Sequence, residues 1–228
     1  MKQSIHRSSL ANQVRLQERL AIFLALIAGY VDATGFVKWK TYVSFMSGNT
    51  TQLGAGLSSQ SLVILITTLA VISSFLIGIY LGTCLFLCKM LKIKSLSFYV
   101  VAGILMIYTI IAYFYSINNI SSVAIIGFSM GIMNTIITSV GNQKVNTDFV
   151  TGTLTSLARN TALLSMTNDV AEREEYKSNA IHLLLLWISF LSGAIFGPIM
   201  LGYFGNWTLA FPATLILACG SLISNNKL

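Results

Sequence analysis

The stretch that decides the fold is residues 62–88, which reads LVILITTLAVISSFLIGIYLGTCLFLC and is followed by Lys89. It contains no Lys, Arg, Asp or Glu. An α-helix needs about 20 mostly apolar residues to cross the hydrocarbon core of a bilayer, and this stretch is longer than that. We therefore interpret residues 62–88 as a membrane-spanning helix.

Other apolar stretches lie on both sides of this span. The chain of 228 residues is 55% hydrophobic and only 9% charged, whereas an ordinary soluble domain has roughly 25% charged residues. Further spans are predicted at residues 20–37, 96–117, 120–140, 180–204 and 206–224. The sequence thus predicts an all-α, polytopic membrane protein with about six transmembrane helices, whose first partner is the lipid bilayer.

The basic residues indicate how the chain is oriented. If the N-terminus is cytoplasmic, all but two of the 14 Lys and Arg residues fall on the cytoplasmic side, and the exceptions are Lys38 and Lys40. Cytoplasmic loops of membrane proteins are enriched in Lys and Arg. We therefore expect both termini to be cytoplasmic, with residues 1–19 as an N-terminal tail. This distribution explains the net charge of +7 without a nucleic-acid partner.

Two short segments recur in the same order along the chain. Residues 45–53, FMSGNTTQL, resemble residues 149–157, FVTGTLTSL. Residues 75–82, FLIGIYLG, likewise resemble residues 190–197, FLSGAIFG. The second pair carries Gly-x-x-x-Gly spacing, which permits helices to approach closely in a membrane. These matches predict an internal repeat.

The repeat divides the chain into residues 20–117 and residues 118–228. Each part reads as a span, a polar connection rich in Gly, Ser and Thr, a span with Gly-x-x-x-Gly, and a third span. An odd number of crossings inverts the second part relative to the first. We therefore predict two inverted three-helix repeats, whose polar connections face each other from opposite leaflets.

Asp32 is the outstanding polar residue because it lies inside the first predicted span. A carboxylate at the centre of a membrane helix costs about 2.5 to 3.5 kcal/mol on insertion scales, so it normally faces a polar interior. There it could take up and release a proton. The alternative is a structural carboxylate held by hydroxyl groups or helix ends. Counting from Gly131 against Gly29, Asn134 occupies the corresponding position in the second repeat.

The chain near Asp32 also contains signals for a broken helix. Gly29 and Gly35 would weaken a regular helix, and Ser47 or Asn49 would cap a new one. Broken helices at matching places in inverted repeats are typical of a transporter site, although an ordinary surface loop with a polar turn would read similarly. The predicted substrate-binding or translocation residues are Asp32, Ser47, Gly48, Asn49, Asn134, Thr151 and Gly152.

The sequence gives little support for catalysis or metal binding. Cys84, Cys88 and Cys219 all fall in apolar spans, and neither His6 nor His182 has metal-ligand spacing to another histidine. We find no nucleotide-binding loop and no arrangement of nucleophile and base. We therefore expect no enzymatic activity, metal or cofactor, and we interpret His182 as an interfacial residue.

Four segments together resemble a known family. They are Gly29-Tyr30-Val31-Asp32-Ala33, Phe45-Met46-Ser47-Gly48-Asn49, Gly131-Ile132-Met133-Asn134 and Thr147-Asp148-Phe149-Val150-Thr151-Gly152-Thr153-Leu154. In these segments the chain is similar to the YoaK family of bacterial membrane proteins, a domain of unknown function, although many relatives have Thr at the place of Ser47. The resemblance implies a multi-pass protein of the bacterial cytoplasmic (inner) membrane. It implies no substrate.

The leading functional hypothesis is therefore a small-molecule secondary transporter or permease, with proton coupling through Asp32. One alternative is a passive, channel-like pore. Another is a non-transporting membrane scaffold or accessory subunit that docks a partner through residues 142–179. Small chains with about six spans often dimerise, so a homodimer is a further hypothesis, for which the sequence identifies no interface.

Overall fold

The structure, a computed structural model, describes residues 2–87, 95–136, 139–140, 143–144 and 150–225. These residues are overwhelmingly helical, which confirms the all-α class. The only strands among them are two residues long each and pair antiparallel. The elements are α1 (Lys2–Trp39), α2 (Met46–Ser58), α3 (Leu62–Leu87), α4 (Leu96–Phe114), α5 (Asn119–Met133), β1 (Ser139–Val140), β2 (Gln143–Lys144), α6 (Val150–Met166), α7 (Val170–Phe204), a 3-10 helix (Gly205–Leu209) and α8 (Ala210–Asn225).

Four stretches of the described residues are long and apolar enough to cross a membrane: Val14–Trp39, Leu62–Leu85, Leu96–Phe114 and Val170–Ser224. The last of these runs through α7, the 3-10 helix and α8. Helix α5 is apolar but has only 15 residues, fewer than the roughly 20 that a span normally needs. The membrane character of the chain is thus supported, while the count of six spans is not confirmed.

The element boundaries differ from the predicted ones at several places. Helix α1 includes the predicted tail from Lys2 onward, and α5 ends at Met133 rather than at residue 140. Residues 170–179, which precede the predicted fifth span and include Glu172, Glu174 and Glu175, form the first turns of α7. Three further predictions lie outside the described residues: Cys88 at the end of the predicted span 62–88, the basic loop 89–94, and most of the polar run 142–148.

The predicted break in the first helix is wrong, because α1 continues without interruption to Trp39. The carboxylate of Asp32 bonds to the chain beyond α1 and leaves the helix backbone intact. Gly35 has a packing role instead. A Cβ atom there would lie 3.1 Å from the Thr41 carbonyl oxygen and 3.2 Å from Val43 Cγ1, so glycine allows the chain after α1 to fold back against the helix.

The described residues fall into two compact units. The first comprises residues 1–29 and 137–193. Within it, Ser189 Oγ of α7 donates a hydrogen bond of 2.8 Å to the Ile22 carbonyl oxygen of α1. His182 is buried, and its Nε2 has no hydrogen-bond partner among the described residues. From its sequence position, His182 is interpreted as an interfacial residue. In the structure its side chain is covered by the protein itself.

The second unit comprises residues 30–136 and 194–228, and helix α3 packs along α5 within it. Glycines make this packing close. A Cβ atom on Gly78 would clash with the Phe128 carbonyl oxygen, and one on Gly131 would clash with the Phe75 carbonyl oxygen. The two backbones are thus in direct contact, as small residues at a membrane helix crossing allow.

The other end of the Gly-x-x-x-Gly segments packs in a similar way. A Cβ atom on Gly82 would lie 3.1 Å from Ile132 Cα and 2.7 Å from Thr135 Oγ1. One on Gly197 would clash with the Tyr30 carbonyl oxygen and lie 2.8 Å from Thr34 Oγ1. Gly82 of α3 therefore fits against α5, and Gly197 of α7 fits against α1.

Helix α4 completes the second unit by packing against α8, α5 and the 3-10 helix. Asn206 joins three elements here. Its Nδ2 donates to the Ala112 carbonyl oxygen at 2.8 Å, and its Oδ1 accepts from Lys38 Nζ at 2.8 Å. The end of α1, the 3-10 helix and α4 are thereby tied together by one side chain.

Candidate functional site

Asp32 is almost completely buried, with 2% of its surface exposed. Its Oδ1 accepts hydrogen bonds from the backbone amides of Val43, at 2.8 Å, and Ser44, at 2.7 Å. Its Oδ2 accepts from the hydroxyl group of Ser44 at 2.7 Å. A buried carboxylate is stabilised when its oxygens accept several hydrogen bonds. Asp32 therefore holds the chain segment that follows α1.

We call residues 40–45 the α1–α2 loop. It begins with Lys40, whose φ of 58° lies in the left-handed region that commonly ends a helix. Aromatic rings also pack at this loop. Phe36 stacks on Tyr42 with 5.0 Å between ring centroids, and Tyr42 meets Phe45 edge to face at 5.2 Å. The loop is thus held both by the Asp32 carboxylate and by ring packing.

Asn49 contacts the same loop from α2 and is fully buried. Its Nδ2 donates to the Tyr42 carbonyl oxygen at 2.9 Å and lies 3.8 Å from Met46 Sδ. Its Oδ1 has no hydrogen-bond partner among the described residues. If Oδ1 and Nδ2 of Asn49 were exchanged, the amide oxygen would face the Tyr42 carbonyl oxygen, and both atoms are acceptors. The contact with Tyr42 therefore fixes the orientation of the amide.

The prediction that Ser47 or Asn49 caps α2 is wrong. The N-cap residue is Phe45, and no side chain caps this helix end. Ser47 is exposed, and Asn49 lies too far into the helix, with its amide engaged by Tyr42. Gly48 provides the packing surface at this end, since a Cβ atom there would lie 2.5 Å from Phe45 Cδ1 and 3.0 Å from Tyr42 Cδ2.

The remaining predicted residues, Asn134, Thr151 and Gly152, lie on other elements of the structure. Asn134 is the C-cap of α5, and its backbone amide donates to the Met130 carbonyl oxygen at 3.0 Å. The Oδ1 atom of Asn134 is buried without a partner among the described residues. Thr151, which is exposed, and Gly152 lie in α6 and belong to the first unit. The structure therefore brings together Asp32, Asn49 and Gly48 through the α1–α2 loop.

Sequence reasoning missed Ser44 and Tyr42. Ser44 supplies two of the three hydrogen bonds to Asp32, and Tyr42 supplies the acceptor for Asn49 and the central aromatic ring. The available signal was a hydroxyl residue directly before the predicted start of α2, close in sequence to a carboxylate that needed donors. Nothing in the pattern indicated which donors Asp32 would use.

The chemistry of the site follows from its groups. It contains one carboxylate, one buried amide oxygen that lacks a donor among the described residues, and three neighbouring aromatic rings, and these groups suit a proton or a cation. Among the described residues, no group of three or more His, Cys, Asp or Glu side chains is placed to hold a metal ion.

Comparison with models of known families shows which family the chain belongs to. A family model with the description "Protein of unknown function (DUF1275)" matches residues 20–222. The chain belongs to the DUF1275 family. YoaK proteins are also DUF1275 members, so the resemblance found in the sequence is confirmed. The DUF1275 match includes every predicted site residue but assigns no activity to any of them.

Two further comparisons found no similar protein. A comparison with curated proteins gave no match, and neither did a comparison with solved structures.

Proposed function

We propose that this DUF1275 protein is a small-molecule secondary transporter or permease of the bacterial cytoplasmic membrane. The observation that carries the proposal is the buried carboxylate of Asp32 inside a candidate membrane span, bonded to the loop that leads into α2. Ionisable residues inside membrane spans are costly and usually lie on substrate or proton pathways. Here the carboxylate is also coupled to a segment whose position a change of charge would alter.

Protonation gives a physical route to that coupling. In the ionised state both oxygens of Asp32 act as acceptors for three donors of Val43 and Ser44. The Ser44 hydroxyl can reverse and accept from a protonated carboxyl group, but backbone amides can only donate. Protonation therefore weakens the two amide bonds to Oδ1 and loosens the α1–α2 loop, because a neutral acceptor bonds less strongly than a charged one.

The packing of the second unit supports the two-repeat interpretation on which the proposal also depends. Exchanging the repeats relates α1 to α5 and α3 to α7. Gly82 of α3 fits against Ile132 and Thr135, while Gly197 of α7 fits against Tyr30 and Thr34. In the sequence alignment of the repeats Ile132 corresponds to Tyr30, so the two crossings use equivalent positions. In this proposal α2 and α6 are the polar connections of the two repeats, and both termini are cytoplasmic.

The test uses purified protein in detergent and then in proteoliposomes. A ligand panel screened by thermal shift at two pH values identifies binders, because a ligand that binds only the folded state raises its stability. Each binder is then tested for uptake driven by a pH gradient. We expect saturable, gradient-driven uptake that Asp32→Asn abolishes while the protein remains folded. Ser129→Ala is the matched control, since Ser129 is buried in the same unit without a hydrogen-bond partner among the described residues.

Three results would contradict parts of this proposal. Unchanged uptake by folded Asp32→Asn removes Asp32 from the coupling. Flux that does not saturate and needs no gradient indicates a pore instead of a transporter. Absence of both binding and flux across the panel, from a folded sample, contradicts transport altogether and favours the scaffold alternative.

A further inference from the structure

We infer that the substrate is an organic cation, namely an amine with an N–H donor attached to an apolar or aromatic body, and that Asn49 Oδ1 accepts a hydrogen bond from it. This inference rests on the proposed transport function. It adds the chemical class of the substrate and the residue that distinguishes it from related cations.

The unpartnered oxygen of Asn49 is the first argument. A buried acceptor without a donor is unfavourable, and such groups are rare in folded proteins. The opposite end of the same amide is fixed by the Tyr42 carbonyl oxygen, so the side chain reaches back from α2 toward the α1–α2 loop. A donor from outside the described residues would stabilise this oxygen, and an N–H group is such a donor.

The aromatic rings beside this amide are the second argument. Phe36, Tyr42 and Phe45 form a continuous group, and Gly48, the residue before Asn49, lies directly under two of the rings. Phe36 is 43% exposed, so the group is reachable from outside the protein. Aromatic faces attract cations and also bind apolar bodies. The same rings thus suit both parts of an aromatic amine.

Charge is the third argument. Asp32 is the only acidic residue in the sequence of the second unit. It is bonded to the loop that carries Tyr42, whereas the nearby Lys38 bonds to Asn206. The N-terminus of α2 carries a partial positive charge, which by itself favours anions. The full negative charge of the nearby Asp32 carboxylate outweighs it. A cation is therefore favoured over an anion here.

The burial of Asn49 indicates how binding and protonation are linked. With Asn49 fully buried, an amine reaches Oδ1 only after the α1–α2 loop has moved. Protonation of Asp32 loosens that loop and opens the way to Oδ1, and release of the proton restores the negative charge that favours a bound amine. Uptake of the proton and binding of the amine are therefore coupled through the α1–α2 loop.

The experiment compares four small probes with matched bodies: benzylammonium, benzyltrimethylammonium, benzyl alcohol and benzoate. Binding to the full chain in detergent is measured by calorimetry for the wild type, Asn49→Ala and Thr50→Ala. We expect benzylammonium to bind most tightly and benzoate least tightly. We expect Asn49→Ala to weaken benzylammonium roughly tenfold or more, as expected for one hydrogen bond to a charged donor, and to leave benzyltrimethylammonium unchanged.

Thr50→Ala is the control for a change at the same helix end. Thr50 is exposed, and its hydroxyl donates to the Met46 carbonyl oxygen of the same helix at 2.8 Å, so all four affinities should stay as in the wild type. Equal affinity for benzylammonium and benzyltrimethylammonium overturns the inference. So does tighter binding of benzoate, or an Asn49→Ala variant that binds benzylammonium as the wild type does, as expected if only a buried water satisfies Oδ1.

The two proposals fail in different ways. If no amine binds but another class of compound is taken up under a pH gradient, the substrate class is wrong and transport stands. If benzylammonium binds through Asn49 but no compound is ever transported, the site is real and the transport function is wrong.

Discussion

The region around Asp32 in α1 and the region around Asn134 in α5 occupy corresponding positions in the predicted repeats, yet they end differently. Helix α1 continues past Asp32 to Trp39, and the carboxylate holds the loop beyond it. Helix α5 ends at Met133, one residue before Asn134, and the amide oxygen of Asn134 has no partner among the described residues.

The difference shows what one charged side chain adds to a helix that is otherwise packed in the same way. Gly197 against α1 and Gly82 against α5 give both helices a close neighbour. Only α1, however, carries a group with two strong acceptor oxygens, and a neutral amide offers one oxygen of lower acceptor strength. Three comparisons between variants separate the contribution of the charge from that of the packing.

The largest effect is expected for Asp32→Ala. It leaves two buried backbone amides and the Ser44 hydroxyl without their acceptor, and we expect a loss of roughly 3 to 5 kcal/mol in the free energy of unfolding. Asn134→Ala should cost far less, since its oxygen makes no hydrogen bond in the described residues. Unfolding in mixed detergent measures both variants. Equal losses would mean that the carboxylate does not distinguish the two regions.

The next effect tests the packing that the two regions share. In Gly197→Ala the new methyl group meets the Tyr30 carbonyl oxygen, and in Gly82→Ala it meets the softer Thr135 side chain. Overpacking of this kind costs about 1 to 3 kcal/mol, with Gly197→Ala at the upper end because backbone cannot move aside easily. Gly202→Ala on the same helix is the control, because nothing lies within 4 Å of a Cβ atom there.

Thermal stability of the three glycine variants in detergent gives the ranking. If Gly202→Ala lost as much stability as Gly197→Ala, the close contact between Gly197 and Tyr30 would not explain the loss. The cause would then be the change of residue within helix α7 itself.

The smallest effect is expected for Ser44→Ala. This change removes one hydroxyl donor from Asp32 but retains the two backbone amides, so about 1 to 2 kcal/mol of stability should be lost. Ser129→Ala should change stability little, because the Ser129 hydroxyl is already without a partner in the described part of the chain. The same unfolding assay compares the two serines, and a larger loss for Ser129→Ala would reverse the interpretation.

Much of the architecture could be predicted from the sequence, and the failures have specific causes. Long charge-free stretches identified the candidate spans, since length and hydrophobicity alone decide whether a helix suits a bilayer. The glycines at residues 78 and 82 correctly indicated close packing. Gly29 and Gly35 were interpreted as helix breakers, but the helix continues through both. The small size of Gly35 serves close packing instead.

The site was predictable only in part. Asp32 and Asn49 were identified because buried polar groups are costly in apolar surroundings and therefore have partners. Their partners, Ser44 and Tyr42, are residues of ordinary type in a short loop, and no local pattern distinguishes them. Which donor reaches a carboxylate depends on how the chain turns after α1, and that turn includes Lys40 at a positive φ.

The sequence by itself determined that this protein is a helical membrane protein of the DUF1275 family with one costly carboxylate in its first span. These properties depend on composition and local order, which the chain carries before it folds. Only the tertiary structure decided that Asp32 and Asn49 both bond to the α1–α2 loop, that the amide oxygen of Asn49 lacks a donor among the described residues, and that the rings of Phe36, Tyr42 and Phe45 pack together. Those facts are distances between residues on different elements, and packing of the folded helices sets them.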